Sequence, residues 1–96
     1  MRFVAVTASD REIACVIGRD VVVGTLAACA DILQGMESFY CWQGKAELAA
    51  ETVLILTCGA TGFAVLAERV KALHSYRVPC IIALSGISAF RPDVRF

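Results

Sequence analysis

The topology of this chain rests on residues 26–58, LAACADILQGMESFYCWQGKAELAAETVLILTC. From Leu26 to Trp42 the residues are apolar, β-branched and aromatic, which predicts a strand with a kink or bulge at Gly35. The turn sequence at 42–45 predicts the tip of a hairpin. The return strand is predicted from about Leu48 to Cys58. Residues 53–56 (VLIL) are apolar on both faces, as in a strand that is covered on both sides.

A strand and a helix are predicted before this hairpin. Arg2 to Thr7 predicts a short strand, and either Ser9 or Asp10 can cap the helix that follows. Gly24 marks the predicted end of the helix. Apolar residues that recur every four positions predict its buried side: Ile13, Ile17 and Val21.

A second helix and a last strand are predicted after the hairpin. The helix is predicted from Thr61, as its N-cap, to His74. Its apolar positions are spaced by 3, 4 and 3: Phe63, Leu66, Val70 and Leu73. The last strand is predicted over residues 78–84, with Pro79 at its start or on a sheet edge because proline cannot donate to a ladder.

The predicted order is βαββαβ in a single domain over residues 1–96. Right-handed crossovers place both helices on one face of a four-stranded antiparallel sheet. This arrangement is a ferredoxin-like α/β sandwich whose other sheet face has no cover. An apolar uncovered face predicts self-association.

The composition supports self-association and excludes several classes of protein. Hydrophobic residues make up 58% of the chain and charged residues 19%, against about 25% charged in ordinary domains. Such a composition excludes intrinsic disorder. Nine basic residues balance nine acidic ones without a basic cluster, so we expect no nucleic-acid partner. Val16, Val22 and Val23 are apolar but lie off the predicted buried side, which packing within one chain does not explain.

Membrane insertion and export are also not expected. The longest uncharged stretch, residues 52–67, is interrupted by Thr57, Gly59, Thr61 and Gly62 and is shorter than the roughly 20 apolar residues of a spanning helix. The apolar run near the N-terminus is too short for a signal peptide, so we expect a cytoplasmic protein. Five cysteines without Cys-x-x-Cys spacing suggest reduced thiols, most of them packed as small hydrophobic residues.

Several motifs in order resemble the CutA divalent-cation tolerance family: LAAC at 26–29, SFYCWQGK at 38–45, ERVKALHSYRVP at 68–79 and IIAL at 81–84. The resemblance runs from about Thr7 to Leu84, and residues 85–96 form a divergent tail. It implies a ferredoxin-like fold and a homotrimer in which long hairpins pair between subunits. It also implies a role linked to copper or other divalent metals.

The chain departs from the family pattern at positions that bear on metal binding. Val6 stands where the family usually has Cys, and Arg77 and Cys80 stand where it has Glu. Thr57 replaces a Lys at the end of the third strand. The acidic stretch after the hairpin tip is reduced to Glu47 and Glu51. Of a Cys, His and Glu metal set, His74 alone keeps its residue type.

His74 and Cys80 are therefore the candidate metal ligands. A thiolate with an imidazole suits Cu(I) or Zn²⁺, but the site needs further partners. The alternative for His74 is a polar residue at a helix C-terminus, where a positive charge is favourable. The alternative for Cys80 is a packed thiol in an apolar strand.

Other candidates are weaker. Tyr40 and Trp42 share one face of a strand and can line an inter-subunit cleft, or pack as aromatic residues across a trimer interface. Cys29 and Cys41 are expected to be packed, and Cys15 to be exposed. The GATG turn at 59–62 can hold an anion at a helix N-terminus, or be simply a tight turn.

No catalytic set is evident, because the chain has one histidine and scattered carboxylates, so we expect no enzyme. Three functions remain open. The first is a CutA-like trimer in divalent-cation or copper tolerance that binds metal weakly if at all. The second is a trimeric scaffold, with an unknown protein partner, that has lost the metal site. The third is a sensor of small molecules similar to PII proteins, which is disfavoured because the hairpin is short and basic residues are few.

Overall fold

The computed structural model describes residues 2–59, 61–74 and 80–84. Within these ranges the elements are β1 (Arg2–Ala8), α1 (Arg11–Val23), β2 (Cys29–Trp42), β3 (Lys45–Cys58), α2 (Phe63–Leu73) and β4 (Ile81–Leu84). The strands form one sheet in the order β2-β3-β1-β4, with every neighbouring pair antiparallel. The predicted βαββαβ ferredoxin-like architecture is therefore confirmed.

The core lies between the sheet and the two helices. From the central strands β1 and β3, fully buried side chains alternate with half-buried ones, so one face of the sheet supplies Val4, Val6, Leu54 and Leu56. The helices supply Ile17, Val21, Leu66 and Val70. The predicted apolar sides of both helices are confirmed, because Ile13, Phe63 and Leu73 pack against this core as well.

The start of α1 shows which of two candidate caps is used. The Asp10 carboxylate accepts a hydrogen bond of 3.0 Å from the Ile13 amide, and Gly24 ends the helix as predicted. Asp10→Ala is expected to lower the free energy of unfolding by about 1 kcal/mol, since an amide of the first turn loses its acceptor. Ser9→Ala, at the neighbouring exposed position, is the control. Urea unfolding checks both, and equal effects would contradict the assignment of the cap.

The start of α2 differs from the prediction. Gly62, not Thr61, is the N-cap, and no side chain caps the helix. The Gly62 amide instead donates to the Gly59 carbonyl at 3.1 Å, which closes a turn before the helix begins. Thr61 therefore lies one residue too early to act as the cap.

The return strand of the hairpin is longer than predicted, because β3 begins at Lys45 rather than at about Leu48. The strands of the hairpin have 14 residues each and are joined by the two-residue turn Gln43-Gly44, in which both residues have positive φ. Such turns match the twist of the paired strands. β2 begins at Cys29 rather than Leu26, because the amides of Leu26 and Ala27 donate to the Val21 carbonyl at the end of α1.

The bulge in β2 and the start of β4 were also predicted from the sequence. The predicted bulge is confirmed, since the register of β2 against β3 shifts between Leu33 and Met36, and Gly35 has a φ of +84°. The last strand was predicted from Val78, but β4 begins at Ile81. Val78 and Pro79 lie outside the described residues, as does the predicted tail at 85–96.

Among the described residues, α1 and α2 are 13 and 11 residues long. Neither helix combines the length and the hydrophobicity that crossing a membrane requires.

Candidate functional site

The sheet face opposite the helices carries apolar side chains without a cover from the described residues. We call it the open face. Along each strand its members alternate with residues that face the helices, and Ile82 and Leu84 on β4 remain 51% and 46% exposed. The open face consists of Phe3, Ala5, Thr7, Cys29, Asp31, Leu33, Val53, Ile55, Thr57, Ile82 and Leu84. The uncovered face predicted from the sequence is thus present.

Beyond the bulge the hairpin continues as a projecting arm, which we define as residues 36–42 and 45–51. No side chain of the arm is buried. Tyr40 pairs with Glu47 and Trp42 with Lys45, so the two aromatic residues share a face as predicted. Trp42 is 60% exposed. Whether they line an inter-subunit cleft stays a prediction.

The opposite face of the arm carries a pair that sequence reasoning missed. Phe39 lies directly across from Leu48, and their side chains are 78% and 54% exposed. The sequence contained the signal for this second apolar face. Adjacent residues of a strand point to opposite faces, so Phe39 lies on the face opposite Tyr40. Both faces of the arm therefore carry large exposed apolar or aromatic side chains, which suits burial between subunits.

His74 is placed at the end of α2 against the first strand. Its amide donates to the Val70 carbonyl at 2.9 Å, and only 9% of the residue is exposed to solvent. The ring atom Nε2 is 2.6 Å from the Thr7 carbonyl oxygen. Because a carbonyl only accepts, Nε2 carries the hydrogen and donates. A metal ion bound at Nε2 would have to replace this bond.

Cys80 lies immediately before β4 and is exposed. Its alternative reading as a packed thiol is therefore wrong for the single chain, because the residue precedes the strand rather than lying within it. Within residues 2–59, 61–74 and 80–84, no three His, Cys, Asp or Glu side chains are grouped so that they could hold a metal ion. The candidate pair gains no third ligand there.

The predicted packing of Cys29 and Cys41 is also wrong for the single chain. Both are exposed, since Cys29 is on the open face opposite Thr57 and Cys41 is on the arm. Cys58 is buried as a small hydrophobic residue, and Cys15, expected to be exposed, is half-buried. All five cysteines are described residues, and none forms a disulfide.

Sequence reasoning also missed an ion pair that joins the two helices. Arg69 donates from Nε and Nη2 to the two carboxylate oxygens of Asp20 at 2.8 and 2.7 Å. These hydrogen bonds, with the charge of Arg69, lower the pKa of Asp20 from its ordinary 3.8. No local pattern links residues that are so far apart in sequence.

This ion pair predicts a pH dependence of stability. The pKa of Asp20 is lowered in the folded state, so the pair stabilises the fold above pH 3.8 and its contribution is lost as the pH falls through the folded pKa. Asp20→Asn is expected to lower the melting temperature slightly at neutral pH, and the difference from the wild type should shrink in acid. Glu68→Gln is the control, because Glu68 and Lys71 make a single exposed contact at 3.4 Å. A difference that persists unchanged in acid would contradict the prediction.

Comparison with known proteins finds a matching family model and similar relatives. The family model described as CutA1 divalent ion tolerance protein matches residues 2–92, and so extends past Leu84 into the segment interpreted as a divergent tail. Two relatives named divalent-cation tolerance protein CutA are similar in sequence. The Thermus thermophilus protein is 42% identical over 84% of this chain and 79% of its own length. The Archaeoglobus fulgidus protein is 39% identical over 85% and 79%.

Solved structures agree with the sequence matches. The Thermus thermophilus divalent cation tolerance protein superposes with a TM-score of 0.85 at 38% identity, covering 94% of this chain and 88% of that one. The periplasmic divalent cation tolerance protein CutA of Archaeoglobus fulgidus gives 0.84 at 36% identity, covering 95% and 89%. The chain therefore belongs to the CutA1 divalent ion tolerance protein family.

Proposed function

We propose that this protein acts as a homotrimer in divalent-cation tolerance and binds metal ions weakly if at all. The observation that carries the proposal is the sheet, with helices on one face and the apolar open face on the other. A large exposed apolar face is unfavourable in water and marks a surface that binds other subunits. The relatives named for divalent-cation tolerance support the role, and the family resemblance supports the number of subunits.

The proposal of weak metal binding follows from the contacts and the positions of the two candidate ligands. The Nε2 atom of His74 donates to Thr7, and Cys80 is exposed at the start of β4. Structural zinc sites use four protein ligands and catalytic sites three, so two residues of one chain make an incomplete site. If copper or zinc binds, His74 and Cys80 are the residues we propose to hold it, with the thiolate as the stronger ligand for a soft ion.

A second candidate function is a trimeric scaffold that has lost the metal site and binds another protein. The buried, hydrogen-bonded His74 favours it, because this residue has a structural role at the junction of α2 and β1 without any metal. In neither case do we propose an enzyme. A sensor similar to PII proteins ranks last, since the hairpin ends in the two-residue turn Gln43-Gly44 rather than a long loop.

For the compartment we propose the cytoplasm. The support is chemical, because five thiols without a disulfide suit a reducing environment. The relative from Archaeoglobus fulgidus is named as periplasmic, which makes the periplasm the competing location. Thiol labelling after cell fractionation distinguishes them, and oxidised cysteines in a periplasmic fraction would overturn the proposal.

Native mass spectrometry of the metal-stripped protein, titrated with Cu(I), Cu(II) and Zn²⁺, tests the subunit number and the metal together. We expect trimers that take up metal only at excess, and we expect Cys80→Ser to remove that uptake. Cys41→Ser, which changes another exposed thiol, is the control. His74→Gln keeps a donor for the Thr7 carbonyl while removing the imidazole. A monomer would overturn the trimer, and tight binding of three ions that survives both Cys80→Ser and His74→Gln would overturn the assigned ligands.

A further inference from the structure

The outward side of α1 carries a stripe that the fold itself does not use. Glu12, Val16, Arg19 and Val23 are spaced by 4, 3 and 4 residues, so they lie in one row along the helix. All four are exposed, and Val16 and Val23 are exposed by 59% and 75%. The buried residues Ile17 and Val21 lie on the other side of the helix. We call this row the α1 ridge.

A hollow lies on each side of the ridge. One, between the helices, is lined by Leu26 and by the paired Asp20 and Arg69, together with ridge residues. The other lies between α1 and β2 and is lined by Val22, Ala30 and Ile32 among others. A ridge with a groove beside it is the geometry by which two helices pack against each other.

The charges of the ridge are complementary to those of a second copy. Within the part of the chain that the structure describes, the side chains of Glu12 and Arg19 form no ion pair, whereas the nearby Asp20 and Arg69 are bound to each other. When two copies of α1 lie antiparallel about a two-fold axis, Arg19 of one copy can lie beside Val16 of the other. Glu12 of that copy is then one helical turn away, roughly 6 Å, within reach of an arginine side chain. Symmetry forms this ion pair twice.

We propose that the α1 ridge docks antiparallel onto the α1 ridge of a second copy of this chain. The contact uses neither the open face nor the arm, so in the proposed trimer it links one trimer to another. Four side chains from each copy make a contact smaller than a standard interface, so a single contact is weak. Trimers that each present three ridges can gain from multivalency.

Sedimentation velocity from micromolar to millimolar chain concentration, at low and at high salt, tests this proposal. We expect species larger than the trimer at high concentration, weakened by salt because the ion pairs are exposed. Arg19→Glu should reduce the association constant roughly tenfold or more, since it replaces the ion pair with Glu12 of the second copy by a like-charge repulsion. Glu12→Arg combined with Arg19→Glu should restore association. Arg11→Glu, on the same helix but off the ridge, is the control.

Failure of this proposal is distinguishable from failure of the trimer. If the protein is a monomer, the ridge should still give a dimer that Arg19→Glu disrupts. A protein whose sedimentation coefficient does not rise with concentration would overturn the proposal. The same result is expected if the ridge binds a different protein instead of a second copy. Association that is unaffected by Arg19→Glu, or that is not rescued by the charge exchange, would overturn it as well.

Discussion

A chain carrying Ile55→Lys is expected to sediment as a folded monomer, at one third of the mass of the proposed trimer. Ile55 lies at the centre of the open face, between Ala5 on β1 and Asp31 on β2. A lysine buried there in an assembly would lose its hydration without an assured partner, which costs several kcal/mol. In the separated subunit the same lysine is exposed beside the Asp31 carboxylate. The substitution should therefore oppose assembly while leaving the fold intact.

Circular dichroism and sedimentation together measure this outcome. The control is Ile55→Val, which keeps an apolar β-branched side chain and should remain assembled. A trimer of Ile55→Lys at micromolar concentration would show that the open face is not the interface. Dissociation only after substitution of Phe39 or Trp42 would instead assign the interface to the arm alone.

Leu54→Ala, one residue earlier on the same strand, is expected to affect folding instead of assembly. Leu54 is fully buried between the sheet and the helices, and its neighbours on the strand face the opposite side. Truncation of a buried leucine removes its hydrophobic burial and leaves a cavity, so the free energy of unfolding should fall by about 2–5 kcal/mol. The change should also be larger than that from loss of the Asp10 cap.

Urea unfolding at one fixed chain concentration measures this effect, since assembly adds to the apparent stability of the folded state. Val65→Ala is the control, because it truncates an apolar residue that is 59% exposed on α2. An unfolding free energy of Leu54→Ala equal to that of the control would contradict the assigned core. The two neighbouring positions thus separate the folding of one subunit from the association of several.

Local signals in the sequence were sufficient for most of the fold. The cap at Asp10, the stop at Gly24 and the turn at Gln43-Gly44 each depend on residues within a few positions of one another. The apolar spacing of both helices reports which side they bury. These elements give the βαββαβ order. Right-handed crossovers then place both helices on one face of the sheet and leave the other face uncovered.

What could not be predicted depends on contacts between distant residues. The hydrogen bond from His74 to Thr7 and the ion pair of Asp20 with Arg69 each join separate elements, and no spacing in the sequence announces them. The exposure of Cys29 and Cys41 was missed for another reason. Cysteine is commonly buried, but here the alternation of β2 and the projection of the arm place both thiols outside the core.

The state of the candidate metal ligands was the least predictable feature. The residue types at His74 and Cys80 are those of a soft-metal site, yet ligand type does not determine whether the ring nitrogen is available. The structure shows that His74 is almost buried and that its Nε2 atom already donates to the Thr7 carbonyl. The native mass spectrometry titration tests whether that bond yields to a metal ion.

The central position of β1 has a consequence for how the chain folds during synthesis. Arg2 pairs with Cys58 and Phe3 with Leu84, so β1 is synthesised well before both of its partner strands. The β2–β3 hairpin is the one strand pair of the described sheet that is local in sequence. Long-range pairing slows folding, because the chain entropy is lost before the contacts form. We therefore expect the hairpin to form before β1 and β4 join the sheet, and the apolar residues of β1 to stay exposed until then.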